Sequence, residues 1–185
     1  MSSQPECRCV EEDPACPVLA DDDTVQAERG WSAESLRQAL WSMPAAELFP
    51  EMTARVERIL EEWRTKFSSR VWNRFMKIAD SGAGRSNRLP KALKEFNEAA
   101  PVLAQLEQWC EERLKADLPP AALVDLCSGF GFLSMFAAEL LPAAALECVY
   151  LVDREWPNKS NGSKGSFTAE HIHAHSWRVP LTTLK

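Results

Sequence analysis

A chain of 185 residues has the size of one ordinary domain. Hydrophobic residues (45%) and charged residues (26%) occur close to the average for soluble globular proteins, which excludes disorder along the whole chain. No stretch is long and apolar enough for a transmembrane helix, and the first residues lack the basic and apolar regions of a secretory signal. We therefore expect a cytoplasmic protein, with a nuclear location also open, whose six cysteines are thiols.

The net charge of −6 is unevenly distributed along the chain. Residues 1–30 carry eight acidic and two basic side chains and few large apolar ones. Such a segment cannot offset the entropy lost on ordering, so we predict a disordered acidic leader over residues 1–30. Its cysteines, Cys7, Cys9 and Cys16, lack a nearby fourth ligand for zinc and are interpreted as flexible thiols.

Residues 31–117 are predicted to form a helical segment. A first helix runs from about Ser32 to Met43 and is stopped by Pro44. A long amphipathic helix then begins at Pro50, because apolar residues recur at steps of three and four as far as Ile78. After a glycine-rich break, two further helical pieces follow, which Pro101 either separates or kinks.

The helical segment includes a basic stretch, Arg55–Lys94, which has a possible RNA-binding role. Residues 51–94 carry eleven basic and five acidic side chains. The bases, with interleaved aromatic residues, could bind phosphates and stack on exposed nucleobases. A solvated helix face is the alternative, and Trp63 and Phe75 are better explained as core residues because they fall on the apolar face. The candidate phosphate-binding residues are Arg64, Arg70, Arg74, Lys77, Arg85 and Arg88.

From residue 118 onward the pattern changes to a strand, a turn, a helix and a strand. The apolar run Ala121–Cys127 predicts a strand buried on both faces, and Phe132–Leu141 predicts an apolar helix. A second buried strand is predicted over Cys148–Asp153. The predicted fold class is therefore α/β, with an N-terminal helical segment followed by a partial Rossmann-like parallel sheet built on a βαβ unit.

The turn between the first strand and its helix carries the strongest functional signal. Glycines at this position let a ligand approach the backbone, and the N-terminus of the following helix presents N–H groups to it. The second strand ends on Asp153, whose carboxylate can accept hydrogen bonds from ribose hydroxyls. The candidate cofactor-binding residues are Asp125, Cys127, Ser128, Gly129, Phe130, Gly131 and Asp153.

These residues resemble the class I S-adenosylmethionine-dependent methyltransferases. The family's first motif, an acid in an apolar strand before a glycine-rich turn, matches Asp125 with Gly129 and Gly131, and its second motif matches Asp153. The resemblance implies that the methionine part of S-adenosylmethionine lies over Cys127–Gly131, its ribose on Asp153, and its amino group near Asp125. A narrower resemblance is to a subgroup that acts on RNA or whose substrates are unknown. Most members have glycine where Cys127 stands, and we assign no catalytic residue.

Three alternatives stay open at this point. A dinucleotide-binding unit would need a third glycine where Ser134 stands. The βαβ unit could also bind no ligand, or be the vestigial part of a non-catalytic protein that binds RNA or a partner chain.

Only 60 residues follow Asp125, whereas a doubly wound sheet needs about 25–35 residues for each βα unit. We therefore expect residues 118–185 to be a partial, truncated methyltransferase-like unit.

The remaining cysteines are predicted not to act as nucleophiles, and the histidines are predicted not to bind a metal. Cys110, Cys127 and Cys148 are expected to pack in the core. His171, His173 and His175 form an H-x-H-x-H run that lacks further ligands at suitable spacing, so we predict a polar surface segment and no metal.

Overall fold

The computed structural model describes residues 31–77, 89–153, 170–173 and 175–184. The predicted acidic leader, the glycine-rich break and the bases Arg85 and Arg88 lie outside the described residues. Along the described chain the elements are α1 (Ala33–Trp41), α2 (Pro44–Leu48), α3 (Pro50–Lys66), α4 (Ser69–Met76), α5 (Lys91–Lys115), β1 (Ala121–Leu126), α6 (Phe132–Leu140), β2 (Leu146–Val152), α7 (Glu170–His173) and β3 (Leu181–Leu184).

The first helix begins and ends within two residues of its predicted bounds. The Ser32 hydroxyl caps α1 by accepting a hydrogen bond from the Ser35 N–H at 3.0 Å. Pro44 follows the helix as predicted, but it also begins α2 at the first helical position. The residue before it, Met43, is extended, as proline requires of its predecessor.

The prediction of one long helix from Pro50 is wrong, because the chain breaks between α3 and α4. Phe67 is extended (φ −85°, ψ 150°), and the Ser68 hydroxyl caps α4 by accepting from the Val71 N–H. A serine competes for local backbone groups in this way and favours a helix start over a helix interior. The apolar face nevertheless stays buried across the break, since Phe67, Val71 and Phe75 all lie in the core.

The two helical pieces expected around Pro101 form one helix, α5, which excludes separation, one of the two alternatives left open for Pro101. Proline inside a helix costs about 3 kcal/mol. Phe96, Ala100 and Leu103 are fully buried next to it, and burial of one large apolar side chain contributes about 1.5–3 kcal/mol. Packing of this face therefore outweighs the local penalty.

The three strands form a parallel sheet in the order β1-β2-β3. This confirms the predicted α/β class and its partial Rossmann-like sheet. Helix α6 packs against β2 and β3, and eight of its nine residues are buried. The prediction that the first strand is buried on both faces is wrong, because its burial alternates and Val124 and Leu126 are 52% and 71% exposed. The described helices thus leave one face of β1 uncovered.

The helical segment and the sheet share one hydrophobic core. Trp63 of α3 stacks on Phe136 of α6 with ring centres 5.1 Å apart, and Phe96 of α5 lies 5.5 Å from the same ring. An ion pair of 2.7 Å between Arg55 and Glu107 joins α3 to α5. Within the described chain, no helix is long and apolar enough to cross a membrane.

Candidate functional site

The turn from β1 to α6 alternates between left-handed and other backbone conformations. The φ angles of Cys127, Gly129 and Gly131 are 60°, 54° and 85°. The Gly131 N–H donates to the Ser128 carbonyl at 2.8 Å and closes the turn. Glycine adopts this conformation at no steric cost, which explains two of the three positions. Cys127 stands at the third, where a side chain is strained.

Open space lies above Gly129. A Cβ atom built at this residue would meet no other atom within 4 Å, so its positive φ, not crowding, is the reason for glycine in this structure. The space belongs to a cleft of about 410 Å³, which is within the usual range for small-molecule sites. The residues that line it are Lys91, Glu95, Asp125, Cys127, Ser128, Gly129, Phe130, Gly131, Phe132 and Leu133.

Six of the seven predicted cofactor-binding residues line the cleft, and Asp153 lies beside it. The Gly129 N–H donates to Asp153 Oδ2 at 2.8 Å, and the Ser128 N–H donates to the Val152 carbonyl at 3.1 Å. The N–H of Asp153 in turn donates to the Leu184 carbonyl at 3.3 Å. These bonds hold the carboxyl ends of the three strands and the turn together.

Asp125 enters the cleft from β1. Ser134, in the first turns of α6, donates its hydroxyl to Asp125 Oδ2 at 2.6 Å. Burial raises the pKa of the Asp125 carboxyl, the hydrogen bond from Ser134 opposes this, and the negative charge of Asp153 raises it further. Two carboxylates that repel each other in this way favour a ligand with positive charge.

Phe130 is in contact with residues distant in the sequence. The His171 ring stacks on it with centres 4.1 Å apart, and His171 Nε2 is hydrogen-bonded to the Phe130 carbonyl at 2.8 Å. The Lys91 ammonium lies 4.8 Å from the centre of the Phe130 ring and the Arg74 guanidinium 5.3 Å. Both are cation–π distances.

The prediction of a polar surface for the histidine run is wrong for His171 and His175, whereas His173 is exposed. His171 is only 1% exposed, and the buried His175 side chain bonds to the buried carboxyl group of Glu139 at 3.0 Å. His173 instead approaches the Thr183 hydroxyl at 3.4 Å. Each imidazole therefore has a different partner, and the described part of the chain contains no group of three His, Cys, Asp or Glu residues arranged for a metal ion.

The cysteine predictions are correct for one residue out of three. Cys110 is buried, whereas Cys127 is exposed and Cys148 is half-buried. Cys127 lies in the cleft wall, and Cys148 follows Glu147 on β2, opposite Ala122 in the sheet register. The error has the same origin as that for β1, since an apolar strand does not indicate whether its second face is covered.

Sequence analysis missed the contribution of α5 to the cleft. Lys91 and Glu95 line it from the first turns of that helix, together with the turn residues. Phe132 and Leu133, at the start of α6, complete the lining. Phe132 directly follows the glycine turn, so the sequence could have indicated that it lines the cleft. No local pattern indicates that α5 packs next to the turn.

No family model, curated protein or solved structure matches this chain. The chemistry of the cleft is accordingly the basis for assigning a function. The cleft combines carboxylates, a half-buried ammonium, aromatic rings and the open backbone above Gly129. This set of groups fits a ligand of nucleoside size that carries both hydrogen-bond donors and charge.

Proposed function

We propose that this chain binds S-adenosylmethionine in the cleft and is the cofactor-binding part of a methyltransferase. The observation that carries the proposal is the meeting of three features at the carboxyl edge of parallel strands. They are Asp125 in β1, the left-handed turn around Gly129, and Asp153 after β2, joined to the turn by a bond of 2.8 Å. Ligands of open α/β sheets bind at this edge.

The charges in the cleft support this cofactor over a dinucleotide. S-adenosylmethionine has a sulfonium and an ammonium cation and two ribose hydroxyls, all of which suit carboxylate partners. Asp125 lines the cleft and Asp153 adjoins it, as described above. A pyrophosphate at the same turn would lie near the Asp125 carboxylate, which is unfavourable, whereas Asp153 suits the ribose of either cofactor. The open space at Gly129 leaves room for the ligand to approach the backbone.

In this proposal the chain's residues bind and orient the cofactor, and no residue is assigned as an acid or base. The bound cofactor supplies an electrophilic methyl group that an acceptor nucleophile attacks. Asp125 orients the cationic end, with its carboxyl held by Ser134, and Asp153 holds the ribose beside the turn. Alignment of reactants by such contacts is sufficient to account for large rate effects in group transfer.

RNA is the acceptor class that the surface next to the cleft favours. Between Phe67 and Lys77 the chain has three basic residues and no acidic one. Arg70 and Lys77 are exposed, and Arg74 reaches the ring of Phe130 at the cleft. A polyanion bound along α4 would therefore pass close to the proposed methyl donor. The same surface supports a second candidate, a non-catalytic RNA-binding protein with a vestigial cofactor unit.

Calorimetric titration of the full chain with S-adenosylmethionine tests the first candidate. We expect saturable binding that is weakened at least about tenfold in Asp153→Ala. The matched control is Glu147→Ala, which removes an exposed acid from β2 and should leave binding unchanged. Absence of binding at millimolar cofactor contradicts the proposal. RNA binding that falls steeply with salt, in a chain that ignores the cofactor, would support the second candidate instead.

A further inference from the structure

Two Lys–Glu pairs at the same spacing on α5 behave differently. Lys94 and Glu98 form an ion pair of 2.9 Å on the solvent side of the helix. Lys91 and Glu95 have the same four-residue spacing and the same order, yet they form no ion pair. Within the described chain no carboxylate lies within 4.0 Å of the Lys91 ammonium. The difference calls for a physical reason, because such pairs normally form on exposed helix faces.

The reason is that Lys91 turns toward the cleft. Its ammonium lies 4.8 Å from the ring centre of Phe130 and 5.8 Å from that of Phe132. The backbone N–H of Lys91 donates to the backbone carbonyl of Lys77 at 2.9 Å, which fixes the start of α5 against the end of α4. Aromatic rings compensate only part of the hydration that a cation loses. Among the described residues no carboxylate pairs with Lys91, so its positive charge faces the cleft without a counter-ion there.

Burial has a measurable electrostatic consequence for Lys91. It lowers the pKa of the ammonium, the negative charge of Glu95 opposes this, and the positive charge of Arg74 adds to the lowering. An anion bound next to the ammonium would replace the lost hydration. The position of Lys91 in the cleft thus favours an anionic ligand group at this end.

The neighbouring groups restrict which anion fits. Glu95 lines the cleft one helical turn beyond Lys91, and Asp125 lines it from β1. A phosphate, with its larger negative charge, would be repelled by both carboxylates. An α-amino acid instead carries a carboxylate for the lysine and an ammonium for the acids.

We propose that Lys91 and Glu95 form a subsite for the zwitterionic amino-acid end of the ligand, with Lys91 binding its carboxylate and Glu95, together with Asp125, its ammonium. The inference rests on the proposed function, since S-adenosylmethionine ends in such a group. It adds to that function a pair of specificity residues from α5, a helix outside the strand–turn–strand unit. Discrimination between cofactors with and without the carboxylate is then set by Lys91.

Three nucleosides test the subsite by calorimetry on the full chain. They are S-adenosylmethionine, its decarboxylated form, which keeps the ammonium, and methylthioadenosine, which lacks the amino-acid end. The wild-type protein should bind the first about 10- to 100-fold more tightly than the second. Lys91→Met should abolish that preference while leaving the affinity for methylthioadenosine unchanged. Glu95→Gln should weaken both ammonium-bearing ligands and spare methylthioadenosine.

Lys94→Met and Glu98→Gln are the matched controls, because they change the same residue types at the same spacing outside the cleft. Both should leave all three affinities unchanged. Equal binding of S-adenosylmethionine and its decarboxylated form by the wild-type protein overturns the subsite and leaves the proposed function standing. An equal loss of all three ligands in Lys91→Met overturns it as well, since that pattern indicates a structural role. Failure of the wild-type protein to bind any of them overturns both proposals.

Discussion

Replacement of Cys127 by glycine should stabilise the protein. The residue has a φ of 60° and an exposed side chain. A residue with a Cβ atom pays about 1–2 kcal/mol in the left-handed region, whereas glycine adds about 0.5–1 kcal/mol of entropy to the unfolded chain. Because the thiol is exposed, little packing is lost. The net effect is an increase of about 0.5–1 kcal/mol in the free energy of unfolding, or about 1–4 °C in Tm for a protein of this size.

Urea denaturation at pH 7 measures this difference as a shift in midpoint at unchanged slope. Asp117→Gly is one comparison, since Asp117 has a φ of 51° after α5, and it should gain less because aspartate tolerates this conformation better. Cys148→Gly is the opposite case: the residue lies in β2 with extended backbone, and the change should lower stability by about 1 kcal/mol. A Cys127→Gly variant that loses as much stability as Cys148→Gly would refute the argument from backbone strain.

Two further stability predictions follow from the core and from the cleft. Trp63→Ala should lower the free energy of unfolding by about 3–5 kcal/mol, because Trp63 is 1% exposed and contacts four aromatic rings. Trp72→Ala should lower it clearly less, because Trp72 is half-buried. Equal losses for the two variants in urea denaturation would contradict this. Asp125→Asn should stabilise the protein at neutral pH, since the folded pKa of Asp125 lies above its ordinary value of 3.8 and the wild type loses stability as pH rises through that folded pKa. The gain should shrink as the pH falls from the folded pKa to below 3.8, because the acid is protonated in both states only below its ordinary pKa. A gain independent of pH would show that charge is not its cause.

Local sequence patterns were sufficient for the elements around the site. Ala121–Leu126, the turn and Phe132–Leu140 lie where the apolar run, the glycines and the next apolar stretch predict them. Their conformations depend on residues within a few positions, above all on glycine's access to positive φ. The break at Ser68 was missed for a related reason. The apolar residues keep their helical spacing across the break, so the pattern predicts one helix. The capping role of Ser68, which starts a second helix, does not disturb that spacing.

The sequence by itself thus determined the α/β class, the glycine-rich turn and the two acids near the carboxyl ends of neighbouring parallel strands. Only the tertiary structure decided that Lys91 and Glu95 face the turn, that His171 supports Phe130, and that one face of β1 is uncovered. The physical reason is that periodicity reports which side of an element is apolar, not which distant element packs against it. Those contacts join segments far apart in the chain, and their energies depend on the shape of the whole core.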